Sequence, residues 1–180
     1  MKNVYKIIAI ACVAILMSCN SEPSLQKYFV DHQDDAEFIA VDVASSLLDK
    51  DKMDLTDGEK EALKSIKKVN FLALPLKNSS SAKFNEESTA IDKILSSEKY
   101  ETLMRFGSDG TKAVLKYQGN DNEIDEVIVF ATDQEKGLLL ARLLGDNMKP
   151  ENMAQLAKAI DKGDLNLDAF KKMADAFDED

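Results

Sequence analysis

Residues 111–144 read TKAVLKYQGNDNEIDEVIVFATDQEKGLLLARLL, three apolar runs separated by two short polar breaks. The runs Thr111–Gln118, Glu123–Thr132 and Gly137–Leu144 have strand length, and the last two are rich in branched aliphatic residues. The breaks, Gly119-Asn120-Asp121-Asn122 and Asp133-Gln134-Glu135-Lys136, are too short for the crossover that a parallel pair needs. Only antiparallel neighbours fit, so the stretch is a meander. Within it Val127–Ala131 and Leu138–Ala141 are apolar at consecutive positions, which predicts strands covered on both faces.

Upstream of the meander, Phe38–Ala44 fits a strand, followed by a short helical turn over Ser45–Asp49. Thr56-Asp57-Gly58-Glu59 matches a capping box. Leu63, Ile66 and Val69 then recur at helical spacing, so a helix is predicted from about 57 to 68. Phe71–Leu76 is a further strand, and Pro75, which cannot donate to a ladder, belongs at a sheet edge or at the strand's end. A loop over Asn78–Ser81 leads to Ile91, Ile94 and Leu95, then Tyr100, Leu103 and Met104. These are two helical faces slightly out of phase, predicting one kinked helix or two short ones over Glu87–Phe106. Gly107-Ser108-Asp109-Gly110 ends that region. Downstream, Pro150 opens a helix carrying Met153, Leu156, Ala157 and Ile160, and Gly163 stops it. A last amphipathic segment holds Leu167, Phe170, Met173, Ala174 and Phe177.

The resulting order is strand, helix, strand, helix, three-strand meander, two helices. It predicts an α+β domain in which helices pack on a largely antiparallel sheet of about five strands. With 44% hydrophobic and 31% charged residues in a chain of 180, one ordinary domain suffices.

The amino terminus follows different rules. Lys2 and Lys6 precede the apolar run Ile7–Met17, which is too short to span a bilayer as a helix and reads as a secretory signal. Leu16-Met17-Ser18-Cys19 looks like a bacterial lipobox, in which cleavage precedes a cysteine already carrying diacylglycerol. Residues 1–18 are then the removed signal peptide, 19–30 a lipidated terminus and tether, and 31–180 the domain. Two acyl chains on Cys19 anchor a protein stably where one holds it only marginally. The competing reading leaves Cys19 as a free thiol after cleavage at another bond. Cys12 departs with the signal, so the mature chain has one cysteine and no intramolecular disulfide. The expected location is the bacterial cell envelope, lipid-anchored. Asn20 rather than Asp after Cys19 resembles lipoproteins sent to the outer membrane, with the leaflet left open.

Loss of Lys2 and Lys6 takes the formal charge from −10 to −12, which argues against nucleic acid as a partner. His32 is the only histidine, among Asp31, Gln33, Asp34 and Asp35, and reads as part of a solvated segment. No nucleophile elbow or phosphate-cradling loop is present. Asp49–Gly58 fails the EF-hand template, with Met53 and Lys60 where oxygen ligands belong. No catalytic residue, metal site or cofactor is therefore assigned. Asp42 and Arg142 interrupt apolar strand patterns and form a candidate structural ion pair, unless both lie on open faces or edges.

The lipobox, Phe38–Val43, the Lys99-Tyr100-Glu101 segment, the strand Asp125–Val129 and the strand end Leu143–Asp146 together resemble the bacterial envelope lipoproteins of the domain-of-unknown-function 4252 family. The resemblance implies an envelope lipoprotein and supplies no catalytic residues. The expected partners are membrane lipid through Cys19 and an unknown envelope protein. The expected function is a non-catalytic, membrane-anchored binding module linked to envelope stress signalling. An alternative is a carrier or sensor of an apolar small molecule held between sheet and helices, and a carboxylate-based hydrolase comes last.

Overall fold

The computed structural model describes residues 23–44, 55–108, 110–120 and 122–155. The lipobox Leu16–Cys19, the turn at 45–49 and the last amphipathic segment lie outside them. The described elements are α1 (Leu25–His32), β1 (Ile39–Ala44), α2 (Asp57–Ser65), β2 (Ile66–Pro75), a 3-10 turn (Leu76–Asn78), α3 (Ser81–Leu95), β3 (Glu101–Ser108), β4 (Thr111–Asn120), β5 (Glu123–Asp133) and β6 (Gly137–Met148). Pro150 opens a helical stretch described to Gln155. Among the described residues no helix is long and apolar enough to cross a membrane.

The six strands form one antiparallel sheet in the order β1-β2-β6-β5-β4-β3. The meander is one strand longer than its sequence reading. β3 precedes the three expected strands, and β2 and β1 extend the sheet beyond β6. Gly137 starts β6 at a φ of +124°, a turn conformation that L side chains rarely adopt. It lies opposite Pro75, which sits at the end of β2 rather than in the middle of its ladder.

Side chains alternate between two cores, one on each sheet face. On one face α1 and α3 cover Leu72, Leu74, Ile128, Phe130, Leu138 and Leu140. The α1 residues Leu25, Tyr28 and Phe29 lie on one stripe, and Ser24 caps the helix by accepting from the Lys27 amide at 3.2 Å. Leu25, Tyr28 and Phe29, which the sequence reading gave to the tether over 19–30, are buried in this core. On the opposite face α2 and Met153 cover Val43, Val69, Phe71, Val127 and Ala141. Leu115, Val129, Leu139 and Leu143 are only partly buried on that side.

Two expected helices are corrected, and β-bulges account for both. α2 has its capping box, with the Thr56 hydroxyl accepting from the Glu59 amide and the Glu59 carboxylate accepting from the Thr56 amide at 2.7 Å. It ends at Ser65, however, and Ile66 and Val69 belong to β2. In a regular strand residues three apart face opposite ways. A register shift between Ile66 and Lys68 inserts one residue, so both side chains reach the same core and imitate helical spacing. The second shift, between Thr102 and Met104, does the same in β3, where Glu101 pairs with Tyr117 and Met104 with Leu115. Tyr100–Phe106 is therefore not helical. The true helix begins earlier, at Ser81, where the Ser80 hydroxyl accepts from the Lys83 amide.

Candidate functional site

β3 is an outer strand of the sheet, paired with β4 on one side only. Its outer backbone edge has no strand partner among the described residues. Exposed large apolar side chains concentrate there: Leu103 is 41% exposed, Met104 53% and Phe106 51%, and among the described residues Val30 is the other such residue. Edge strands are usually blunted by shortness, charge, proline or a bulge. β1, at the opposite edge, is six residues long and carries Asp42, whereas β3 has eight residues and Arg105 at its centre. The bulge leaves Leu103 without a partner on β4, so three apolar groups project from this one strand.

Register fixes which way each side chain faces. Arg105 lies opposite Val114, a residue of the core beneath α3, while Met104 and Phe106 lie opposite Leu115 and Ala113. Between α3 and the β3–β5 end of the sheet is an open cleft of about 680 Å³. Phe84 and Phe130 contribute apolar wall, and Arg105, Lys112 and Asp92 contribute charge. The Ser88 hydroxyl in this lining is buried without a hydrogen-bond partner. Neither Arg105 nor Lys112 forms an ion pair among the described residues. Lys116 is buried nearby and donates to the Leu95 carbonyl at the end of α3. Burial first, and then the neighbouring Arg105 charge, pull its ammonium below the usual lysine range. Arg105 and Lys112 stand at this end of the β3–β4 hairpin, with Asp92 in the lining and Asp133, which accepts from the Thr111 hydroxyl, as neighbouring acids.

Asp42 and Arg142 do not pair with each other. They lie in one row across the sheet, but β2 separates their strands and places Asn70 between them. Asp42 instead meets Lys68 at 2.7 Å and accepts from the Asn70 amide. Burial alone would raise the Asp42 carboxyl, yet the Lys68 and Asn70 hydrogen bonds outweigh it and hold the group below the usual carboxylate range. Arg142 pairs with Glu126 on β5 through its Nε at 2.5 Å and Nη2 at 3.3 Å, and its Nη1 donates to Gln26 on α1 at 2.6 Å. Both side chains are nearly buried, 11% exposed for Arg142 and 6% for Glu126. Arg142 is thus buried against a different acid, whereas Asp42 lies exposed on the outer strand β1.

The segment around His32 is exposed at Asp31, Gln33 and Asp34, but the His32 side chain itself is largely buried. It ends α1, packed 4.1 Å from the Tyr28 ring and 4.7 Å from the Phe38 ring. Its Nδ1 lies 2.8 Å from the Tyr28 carbonyl oxygen and its Nε2 3.3 Å from Glu87 on α3. The Tyr28 hydroxyl donates to the same carboxylate at 2.7 Å, so the cluster ties α1 to α3. Beside it Lys83 bridges Asp35 at 2.9 Å and Glu37 at 2.6 Å. Each of these groups is committed to a neighbour within the fold, and together they join two helices and a loop. Among the described residues no group of three His, Cys, Asp or Glu could hold a metal ion. Cys19, and most of the charged turn before Thr56, lie outside the described residues.

The apolar edge was missed in the sequence because its residues matched a helical face. Two signals pointed to it: the period-two pair Met104 and Phe106, and the Gly107–Gly110 turn leading directly into the first expected strand of the meander.

The family model described as "Domain of unknown function (DUF4252)" matches residues 16–156, a span that contains every described element from α1 to β6. No curated protein and no solved structure matches the chain.

Proposed function

We propose that this chain, which belongs to the DUF4252 family, works as a non-catalytic binding module of the bacterial cell envelope, held at the membrane by a lipidated Cys19 and engaging another envelope component through β3. The observation that carries the reading is the clustering of Leu103, Met104 and Phe106 on an outer strand. Exposed apolar surface on an unpaired strand edge is an aggregation hazard, and a regular partner that covers it removes the hazard. A role in envelope stress signalling fits such a module, with the anchored domain reporting whether its partner is bound. The outer membrane is the proposed location, on the strength of Asn20.

The test is photocrosslinking in cells from an unnatural residue placed at 103, 104 or 106 of the full lipidated chain, with a probe at Lys64 on α2 as control. One recurrent envelope protein captured from β3 and not from α2 is the expected result. Reproducible absence of any adduct from all three edge positions refutes the reading. Mass spectrometry of the mature amino terminus tests the anchor separately, since an unacylated terminus removes it.

The cleft beneath α3 favours a second reading, carriage of a small amphiphile. Its volume is in the range of ligand sites, but its mouth is open and its lining includes Arg105, Lys112 and Asp92. Native mass spectrometry of protein purified from membranes, showing a stoichiometric adduct below 1 kDa lost on Phe130→Trp, would favour carriage.

A further inference from the structure

We infer that β3 receives an extended, acidic segment of a partner protein as an added strand, with apolar side chains of the segment on Met104 and Phe106 and a carboxylate directed to Arg105 and Lys112. The inference rests on the binding-module reading and specifies the partner's chemistry. Strand addition draws on two sources: backbone pairing gives affinity, and alternate side chains give specificity. β3 offers both. About half of its residues turn their backbone N–H and C=O outward, as in any outer strand of an antiparallel pair. Its side chains also differ in chemistry. Met104 and Phe106 alternate with Arg105 along the strand, and Arg105, opposite Val114, lines the cleft with Lys112 and part of Phe106.

Charge selects an acidic occupant. Arg105 and Lys112 have no carboxylate partner among the described residues, whereas Arg142 pairs with Glu126, and Lys83 with Asp35 and Glu37. Asp92 is the acid in the same lining, which leaves the cleft with an excess of one positive charge. An opposite charge across a strand pair stabilises it and a like charge opposes it. The same rule disfavours a second copy of this chain. Each copy carries a net charge of −10, and the antiparallel register that sets Met104 against Phe106 sets Arg105 against its own equivalent.

The probe is a fluorescein-labelled, end-blocked peptide of sequence Val-Glu-Val-Glu-Val-Thr-Val, titrated into the full lipidated chain in detergent and read by anisotropy. Its counterpart has both Glu replaced by Lys. The Glu peptide is expected to bind about tenfold tighter than the Lys peptide, a preference that weakens in 1 M salt and reverses with Arg105→Glu. Lys112→Glu gives a second charge reversal should Arg105→Glu fail to fold. Two further peptides are N-methylated at odd or at even positions. One set should abolish binding and the other leave it, because an added strand uses alternate amides for the edge. Equal affinity for the Glu and Lys peptides, equal tolerance of both methylation sets, or no saturation at millimolar peptide overturns the inference. So does sedimentation showing a dimer whose β3 amides are already protected from exchange. Any of these results alongside crosslinks from 103, 104 and 106 leaves the binding-module reading standing and removes only strand addition. Absence of crosslinks removes the module itself.

Discussion

Removing the Glu126 carboxylate should be among the costliest single changes in the sheet, and the reason is the guanidinium it leaves behind. Glu126 on β5 and Arg142 on β6 meet diagonally across the ladder, both nearly buried and joined by two hydrogen bonds. Glu126→Leu leaves Arg142 with Gln26 as its remaining acceptor of those seen here, a neutral group on an exposed helix position. Breaking a buried pair by deleting one partner costs about 3–5 kcal/mol, and the surviving Gln26 contact places this case near the lower end. Against a total stability of roughly 5–15 kcal/mol, that is a large fraction. With a urea m-value of about 2 kcal/mol/M, the midpoint should fall by roughly 1.5 M. Arg142→Met leaves the acid uncompensated and should cost a similar amount. The double variant, with neither charge, should recover most of the loss, since exchanging a buried pair for apolar residues of similar volume is often neutral or stabilising. The assay is a double-mutant cycle in urea, followed by circular dichroism. Losses that simply add in the double variant, or a Glu126→Leu cost under about 1 kcal/mol, would refute the argument, because both require two charges that do not depend on each other.

Alkaline titration offers a further check. Burial, and then the Glu126 charge, push the Tyr100 phenol up to about 12, with Arg142 opposing, and burial followed by the Glu87 contacts raises Tyr28 beyond the usual tyrosine range. A folded pKa above the unfolded value of about 10 gives stability that is complete below pH 10 and lost as pH rises towards 12. Urea midpoints should therefore fall over that window, and Tyr100→Phe should flatten the decline. Thr56→Ala removes a hydroxyl that accepts from the Glu59 amide and should cost about 1 kcal/mol by the same denaturation assay. Gly137→Ala forces an unfavourable φ and sets a Cβ against the Leu74 carbonyl oxygen, so a loss of about 2 kcal/mol or failure to fold is expected in thermal melts. Ile128→Ala hollows the core beneath α1 and α3 and should cost about 2–5 kcal/mol.

The legible parts of the sequence were those where one local rule acted alone. β4, β5 and β6 were marked by runs of apolar residues and by polar breaks too short for crossovers. The start of α2 was marked by a capping box whose hydrogen bonds are both formed. Asp42 and Arg142 lie inside β1 and β6, but their partners depend on strand order. Periodicity carries no information on order, and once β2 lies between β1 and β6 the two cannot meet. The same ignorance of tertiary neighbours left His32 in solvent, when Tyr28, Phe38 and Glu87 enclose it.

β-Bulges caused the other departures, and one of them lies at the candidate site. A bulge adds one residue to a period of two, so that i and i+3 share a face, which is also the signature of a helix. At Ile66–Lys68 the result serves packing, bringing Ile66 and Val69 into one core. At Thr102–Met104 packing gains little. Leu103 is left unpaired, and Met104 and Phe106 stay half exposed on an edge that the Arg105 charge and the bulge blunt only in part. Departures from local consistency that bring no gain in packing are expected at functional sites. Restoring regular pairing at β3 by deleting Leu103 therefore separates the two explanations. If the bulge is only a tolerated defect, the deletion leaves crosslinking at 106 unchanged. If it shapes a binding edge, the domain keeps its fold and the crosslink is lost, because Leu103 and the local twist of the bulge are gone while Met104 and Phe106 keep their partners Leu115 and Ala113.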